Sequence, residues 1–376
     1  MLPATARITE EALSMGIRIP AVIALLLLYP NVDASAHHGR IGKFADETVQ
    51  IDGAVSRFDW LNPHVYVFVS TVNDDGETVE WMFENTSVST MTRQGWTRDT
   101  LQIGDRIRVQ AHPHTDPTNL QGSGASYFRP DGTRVGRANE EFRRELLESN
   151  ARSTDVFGVW VGLLDTFNLT NPPDWEEKRM AVLIAGGEQF PNAGEQEYAM
   201  EAVPFLNDRG RAALAQFERN NPDNPWCAPW PVFPRTPGVI LVEERGDTIT
   251  MRDSYVVGRE RTVYMDGRSH PADGEATPMG HSVGSWEGDA LVVETRLFAD
   301  NPWGIGEGIP SGSQKVVRER YALAEGGTRL TVSWELFDPE YMESSFRDSR
   351  QWKYAPDLEP PEPGVCSEEV GGRWLQ

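Results

Sequence analysis

Between residues 48 and 130, apolar and polar positions alternate in five short runs. These are TVQIDGAVSRFDW (48–60), VYVFVSTV (65–72), TVEWMFEN (78–85), DRIRVQAH (105–112) and ASYFRP (125–130). Period-two alternation in runs rich in β-branched and aromatic residues predicts strands. Asn73-Asp74-Asp75-Gly76 predicts a hairpin turn in which Gly76 takes positive φ. Between the third and fourth runs, SVSTMTRQGW (87–96) reads as a helix capped by Ser87 and stopped at Gly95. The order β-β-β-α-β-β in about 90 residues is that of a small OB-type barrel, or of another five-stranded roll.

The pattern then changes. RANEEFRRELLESNA (137–151) is polar and helical, which suits a link between domains. A G-x-W motif at 158–160 opens a second β-rich region, interrupted by a capped helical stretch at 207–220 and a Pro- and Trp-rich segment. Predicted strands follow at 239–244, 248–257, 261–267, 281–288, 290–298, 315–323 and 329–338, several separated by tight turns. Such a run of hairpins predicts an antiparallel meander closing as a barrel.

The first residues stand apart from this β pattern. Ala21 to Tyr29 form a short apolar run preceded by Arg18 and followed by Ala34-Ser35-Ala36, a small-x-small cleavage pattern. Residues 1–36 therefore read as a signal peptide, with Met15 an alternative start and a retained anchor the competing reading. The run is shorter than the roughly 20 apolar residues of a membrane-spanning helix, so no stable membrane insertion is expected. The whole chain carries a net charge of −22, and losing two basic and three acidic residues with the leader leaves −21. That charge repels nucleic acid and anionic lipid. Cys227 and Cys366 are the two cysteines of the chain; an exported compartment favours a disulfide between them over two free thiols.

The segments AHHGRIGKF, WLNPHVYVFV and GWTRDTLQIGDRIRV resemble a family of exported bacterial proteins of unassigned function. Its members begin the mature chain with His-His and carry a W-x-N-P-H motif. DGRSHP, GHSVGSWEGDALVVET, RERY and FDPEY are similar to lipocalin-like partner regions, also of unassigned function. The resemblances imply a periplasmic or secreted, mostly β protein. An OB-like domain (37–136) and a helical linker (137–152) would precede a larger lipocalin-like antiparallel barrel with a helical insertion (153–376).

Five of the seven histidines lie in the smaller domain: His37, His38, His64, His112 and His114. Cleavage after Ala36 would give His37 a free α-amine beside its imidazole. With a second imidazole this makes a three-nitrogen site suited to copper, with zinc as runner-up. The arrangement resembles the histidine brace of copper monooxygenases and periplasmic copper carriers in ligand type only. His64, directly after Pro63, is the preferred partner, and the alternating His112 and His114 are the others. The plainer reading is a leader followed by ordinary loop-end histidines.

In the second region, strict alternation places Asp253 and Tyr255, Arg261, and Glu319 and Tyr321 on faces shared with apolar residues. Charges on a barrel's inner face are expensive unless paired. They mark either a ligand cavity, with Asp253, Glu319 or His281 as acid–base groups and Arg261, Tyr255, Tyr321 and Trp160 as ligand contacts, or a structural Arg–carboxylate brace. The expected partner is an apolar or amphipathic small molecule, and the alternative function is an isomerase, cyclase or hydrolase acting on a hydrophobic substrate. No P-loop, GxGxxG, HExxH or CxxC occurs, and no nucleotide cofactor is expected. The sequence sets no oligomeric state.

Overall fold

The computed structural model describes residues 43–163, 202–218, 221, 223–229, 238–253, 259–360 and 366–372. The predicted leader, His37, His38 and Tyr255 lie outside them.

Five strands build the first barrel: β1 (Val49–Asp59), β2 (Tyr66–Val72), β3 (Thr78–Glu84), β4 (Arg106–Pro113) and β5 (Gln121–Phe128). They close in the order β1-β2-β3-β5-β4, with α1 (Val88–Arg93) between β3 and β4. This is the OB-like barrel expected from the alternation. β1 is shared: Val49 to Ala54 pair with β4, and from Ala54 onward, across a register shift between Val55 and Arg57, it pairs with β2. The β3–β5 seam is parallel and brings Phe83 opposite Gly122. A Cβ at Gly122 would lie 2.7 Å from the Phe83 ring, so glycine is required for this close approach. Val67, Val69, Phe83, Val109, Trp96 and Tyr127 form the core.

Helix α2 (Asn139–Glu148) follows. It is less of a free link than its polar sequence suggests, because Phe142 and Leu146 are buried against Val159, Val161 and Val239 on the outside of the second barrel.

That barrel has nine strands: β6 (Gly158–Gly162), β7 (Val239–Arg245), β8 (Thr248–Asp253), β9 (Glu260–Tyr264), β10 (His281–Glu287), β11 (Ala290–Arg296), β14 (Val316–Ala324), β15 (Arg329–Phe337) and β16 (Phe346–Tyr354). A separate hairpin, β12 (Asn301–Gly306) with β13 (Ile309–Ser311), and helix α3 (Asp208–Ala215) lie outside the closed sheet. The meander is antiparallel except at one place: β9 and β10 pair in parallel across the 265–280 connection. Antiparallel pairing therefore describes all but one seam. The hairpin and β16 were absent from the predicted strands because NPWGIGEGIPS is rich in Pro and Gly, and FRDSRQWKY has charges where alternation asks for apolar residues.

Two apolar clusters fill this barrel. One holds Trp160, Ile240, Met251, Val293, Tyr321, Val332 and Trp352. The other joins Val317, Trp334 and Phe346 of the barrel to Leu206 just before α3, Leu214 of α3, and Ile305 and Ile309 of the hairpin, which together cap one end.

Cys227 and Cys366 are disulfide-bonded, as the cysteine count predicts. Cys366 also pairs with Asn62 of the first barrel. Just beyond it, Val370 of α4 (Glu368–Gly372) packs on Tyr66 and Phe68, the outward residues of β2. Among the described residues, no helix is long and apolar enough to cross a membrane.

Candidate functional site: a buried charged layer under the barrel cap

Alternation along β8, β9 and β14 carries Asp253, Arg261 and Glu319 to the interior, where they are 0%, 7% and 1% exposed. They do not form one group. Arg261 reaches Glu319 at 2.6 Å and donates to the Tyr321 hydroxyl at 3.0 Å, and that hydroxyl donates to Glu319 at 3.1 Å. Arg261 also donates to Thr295 at 3.3 Å, and Thr295 bonds Ser282 at 2.9 Å. Asp253 instead pairs at 2.6 Å with Arg259, which lies between the predicted strands 248–257 and 261–267.

Cross-strand register adds a third pair. Glu319 lies opposite Trp334, and Trp334 opposite Asp348. Asp348 stands 3.4 Å from the buried Arg350, whose guanidinium lies over the Trp334 ring. These ionic groups lie between residues of the two apolar clusters. Burial alone would lower the Arg261 pKa, but the Glu319 carboxylate and Tyr321 outweigh it and raise it. Burial, and then the Glu319 charge, push Tyr321 well above its usual value. At neutral pH Arg261 is therefore held as a guanidinium and Tyr321 as a neutral phenol.

A buried lysine, Lys315, which sequence reasoning missed, has its pKa brought near neutrality. It precedes β14 with the same parity as Val317 and Glu319, so the alternation, carried one step back, pointed to it. Lys315 is 2% exposed, donates from Nζ to the Gly304 carbonyl at 3.1 Å and lies 4.1 Å from the centre of the Phe298 ring. Burial lowers its pKa to about 7, with Asp338 opposing and Arg259 adding to the fall. Between this value and the ordinary 10.5, the unfolded chain holds a proton that the folded protein lacks. Stability should therefore rise with pH across that window, while below it both states are protonated and the burial penalty stands in full. Urea unfolding near pH 6 and near pH 10 should show this rise in the native chain and lose it in Lys315→Met. An equal rise in the variant would assign the effect elsewhere.

A cleft of about 260 Å³ opens beside the hairpin, lined by Arg209, Asn301, Pro310, Ser311, Glu340 and Tyr341 among others. Gly312, which also lines it, donates its N–H to the buried Asp338 at 2.7 Å.

His281 does not join the layer. Ser282 takes the inward position, so His281 faces outward, stacked on Tyr264 with its Nδ1 3.0 Å from Nδ1 of His270. Gly280-His281-Ser282-Val283-Gly284 has the G-x-S-x-G spacing, which sequence reasoning missed, but Ser282 lies buried within β10 rather than on a strand-to-helix elbow, so the motif lacks its context. Trp160 is wholly buried, donates to the Val156 carbonyl at 3.0 Å and packs on Tyr354, not on an Arg or Lys. It is core, as are Trp334 and Trp352.

In the first barrel the W-x-N-P-H motif is bound into the fold. The Asn62 side chain accepts the Val88 N–H at the start of α1, and Trp60 packs on Phe58. His64 Nδ1 lies 3.0 Å from the Asn85 carbonyl and 3.1 Å from Glu84, which places its proton on Nδ1. His112 likewise holds Nδ1 3.0 Å from the Ala45 carbonyl, so Nε2 is its lone-pair nitrogen. His114 has the opposite polarity: its Nδ1 accepts from the Asp116 N–H. Among the described residues, no three His, Cys, Asp or Glu side chains converge as a metal site.

No curated protein and no solved structure matches the chain. Residues 26–122 match the sequence profile of a family of unknown function, DUF6152. The match takes in β1 to β4 and all five histidines of the smaller domain, and leaves the larger barrel outside it.

Proposed function

We propose that this is an exported protein that binds a small amphipathic molecule at the capped end of its larger barrel. The observation that carries the reading is the cleft beside the hairpin, next to the buried Asp338. Its walls mix Pro302, Pro310 and Tyr341 with Arg209, Asn301 and Glu340, and its floor touches Asp338 through Gly312. Its volume falls just under the roughly 300–1,000 Å³ of typical ligand pockets, which suits a small ligand with both apolar and hydrogen-bonding parts. Stability alone is a poor reason for the buried charged layer, because buried ion pairs are commonly matched or bettered by apolar residues of the same size. An acid–base enzyme is the second reading, with Lys315 rather than Asp253 or Glu319 as the proton-transfer group.

Export and the fusion of the two regions belong to the same proposal, supported by the leader pattern and the disulfide. So does copper at the N-terminus. Lys43 and Ala45 are hydrogen-bonded to the end of β4, beside His112 and His114. His37 is six residues upstream, about 20 Å at full extension. This leash favours His112, with its Nε2 lone pair, over His64 as the partner imidazole.

Native mass spectrometry of protein purified from the periplasm tests both parts. Expected are a chain beginning at His37, a co-purifying small molecule, and one copper that is lost when a residue is added ahead of His37. A ligand-free mass for carefully desalted native protein would remove the binding reading. Equal copper occupancy of the native and extended forms would remove the copper site.

A further inference from the structure

A second histidine pair, outside both sites above, has the geometry of a metal chelate. His270 lies in the connection between β9 and β10, and His281 is the first residue of β10. Their Nδ1 atoms are 3.0 Å apart, with the ring planes at 73°. Two imidazole nitrogens bound to one metal at about 2.0–2.1 Å stand about 2.9 Å apart at a right angle and about 3.3 Å apart at the tetrahedral angle. The observed separation falls between these limits.

The surroundings fix the tautomers. Nε2 of His270 is buried, lacks a hydrogen-bond partner and lies 3.6 Å from the Glu294 carboxylate. A proton on that nitrogen is attracted by Glu294, whereas a lone pair there is repelled. His270 therefore carries Nε2–H, and its Nδ1 lone pair accepts the Nδ1–H of His281. This matches the usual second shell of a metal-bound histidine, in which a carboxylate faces the nitrogen remote from the metal. Glu294 is itself held by Arg296 at 2.6 Å and Arg318 at 2.7 Å, so the orienting charge is fixed. Tyr264 stacks flat on His281 with centroids 5.0 Å apart, which fixes the second ring.

We propose that His270 and His281 bind a divalent transition metal through their Nδ1 atoms, at the outer wall of the larger barrel. The metal replaces the proton between the rings, and that proton moves to Nε2 of His281, so neutral histidines bind without net proton release. Water fills the remaining positions, since no third His, Cys, Asp or Glu converges there among the described residues. Imidazole donors select zinc, copper or nickel over calcium or magnesium. The Arg268, Arg296 and Arg318 charges work against a cation, and Asp266 offsets one of them through its 2.6 Å bond to Arg268. A two-histidine site in this field has moderate affinity.

Zinc titration of the full chain, followed through histidine ring ¹⁵N signals, tests this. The Nδ1 signals of His270 and His281 should shift together on binding one zinc, separately from any response of the N-terminal histidines. His270→Asn should abolish the response at His281, and His281→Asn that at His270. Glu294→Gln should keep both rings but weaken binding about 10–100-fold. Zinc-free melting curves establish that each variant is folded. The proposal is overturned if the two signals stay still at millimolar zinc, or if either histidine still responds fully without the other.

Discussion

Arg261→Met is expected to destabilise the larger barrel by about 3–5 kcal/mol, because it leaves a buried carboxylate without its cation. The side chains of Arg261 and Glu319 are 5% and 0% exposed, so water does not take the place of the guanidinium. Tyr321 still donates one hydrogen bond to Glu319, but it carries no charge. In a domain of this size each kcal/mol moves the melting temperature by about 2–4 °C, so a fall of roughly 10 °C should appear in a thermal scan. Combining Arg261→Met with Glu319→Leu removes both charges and should recover much of the loss, since the two residues act as one unit. Glu319→Gln keeps the shape, and Tyr321 can still donate to it. A shift below about 1 kcal/mol for Arg261→Met would mean that the layer is hydrated in solution.

The second large effect concerns the disulfide. Cys227 and Cys366 are 139 residues apart in sequence, and a cross-link closing so long a loop stabilises by about 2–5 kcal/mol. Replacing both with Ser should therefore lower the urea midpoint. It should also loosen α4 from the first barrel, because Cys366 precedes the helix whose Val370 covers Tyr66 and Phe68. Amide exchange in β2 should accelerate selectively, and a protease should trim the chain near 366 before attacking either barrel. Uniform protection in β2 of the double variant would show that the helix is held without the bond.

Much of the fold was legible because most strands bury one face. Alternation in RTVYMDG and RERYAL fixes which residues turn inward, and hence that Arg261 and Glu319 are interior. It breaks down where inner positions are polar. Asp348, Ser349 and Arg350 are all buried, so β16 shows no apolar period, and with it went one third of the ionic layer. Pairing partners were less legible than facing. That Asp253 meets Arg259 depends on how the chain returns into β9, and that His281 turns outward depends on the parallel seam with β9. Neither leaves a periodic trace. The histidines of the first barrel were found by counting, but their roles differ through backbone carbonyls and amides that composition does not record.

The route of the chain has a consequence for how the protein is made. The cover for Tyr66 and Phe68 comes from Val370, which emerges roughly 300 residues after β2. At about 5–20 residues per second, this aromatic face waits about 15–60 s after its own synthesis for its partner, long past the completion of its barrel at β5. Through that interval the nascent protein presents a sticky outer strand to anything nearby, so a holding factor acting on the half-made chain would protect this face first.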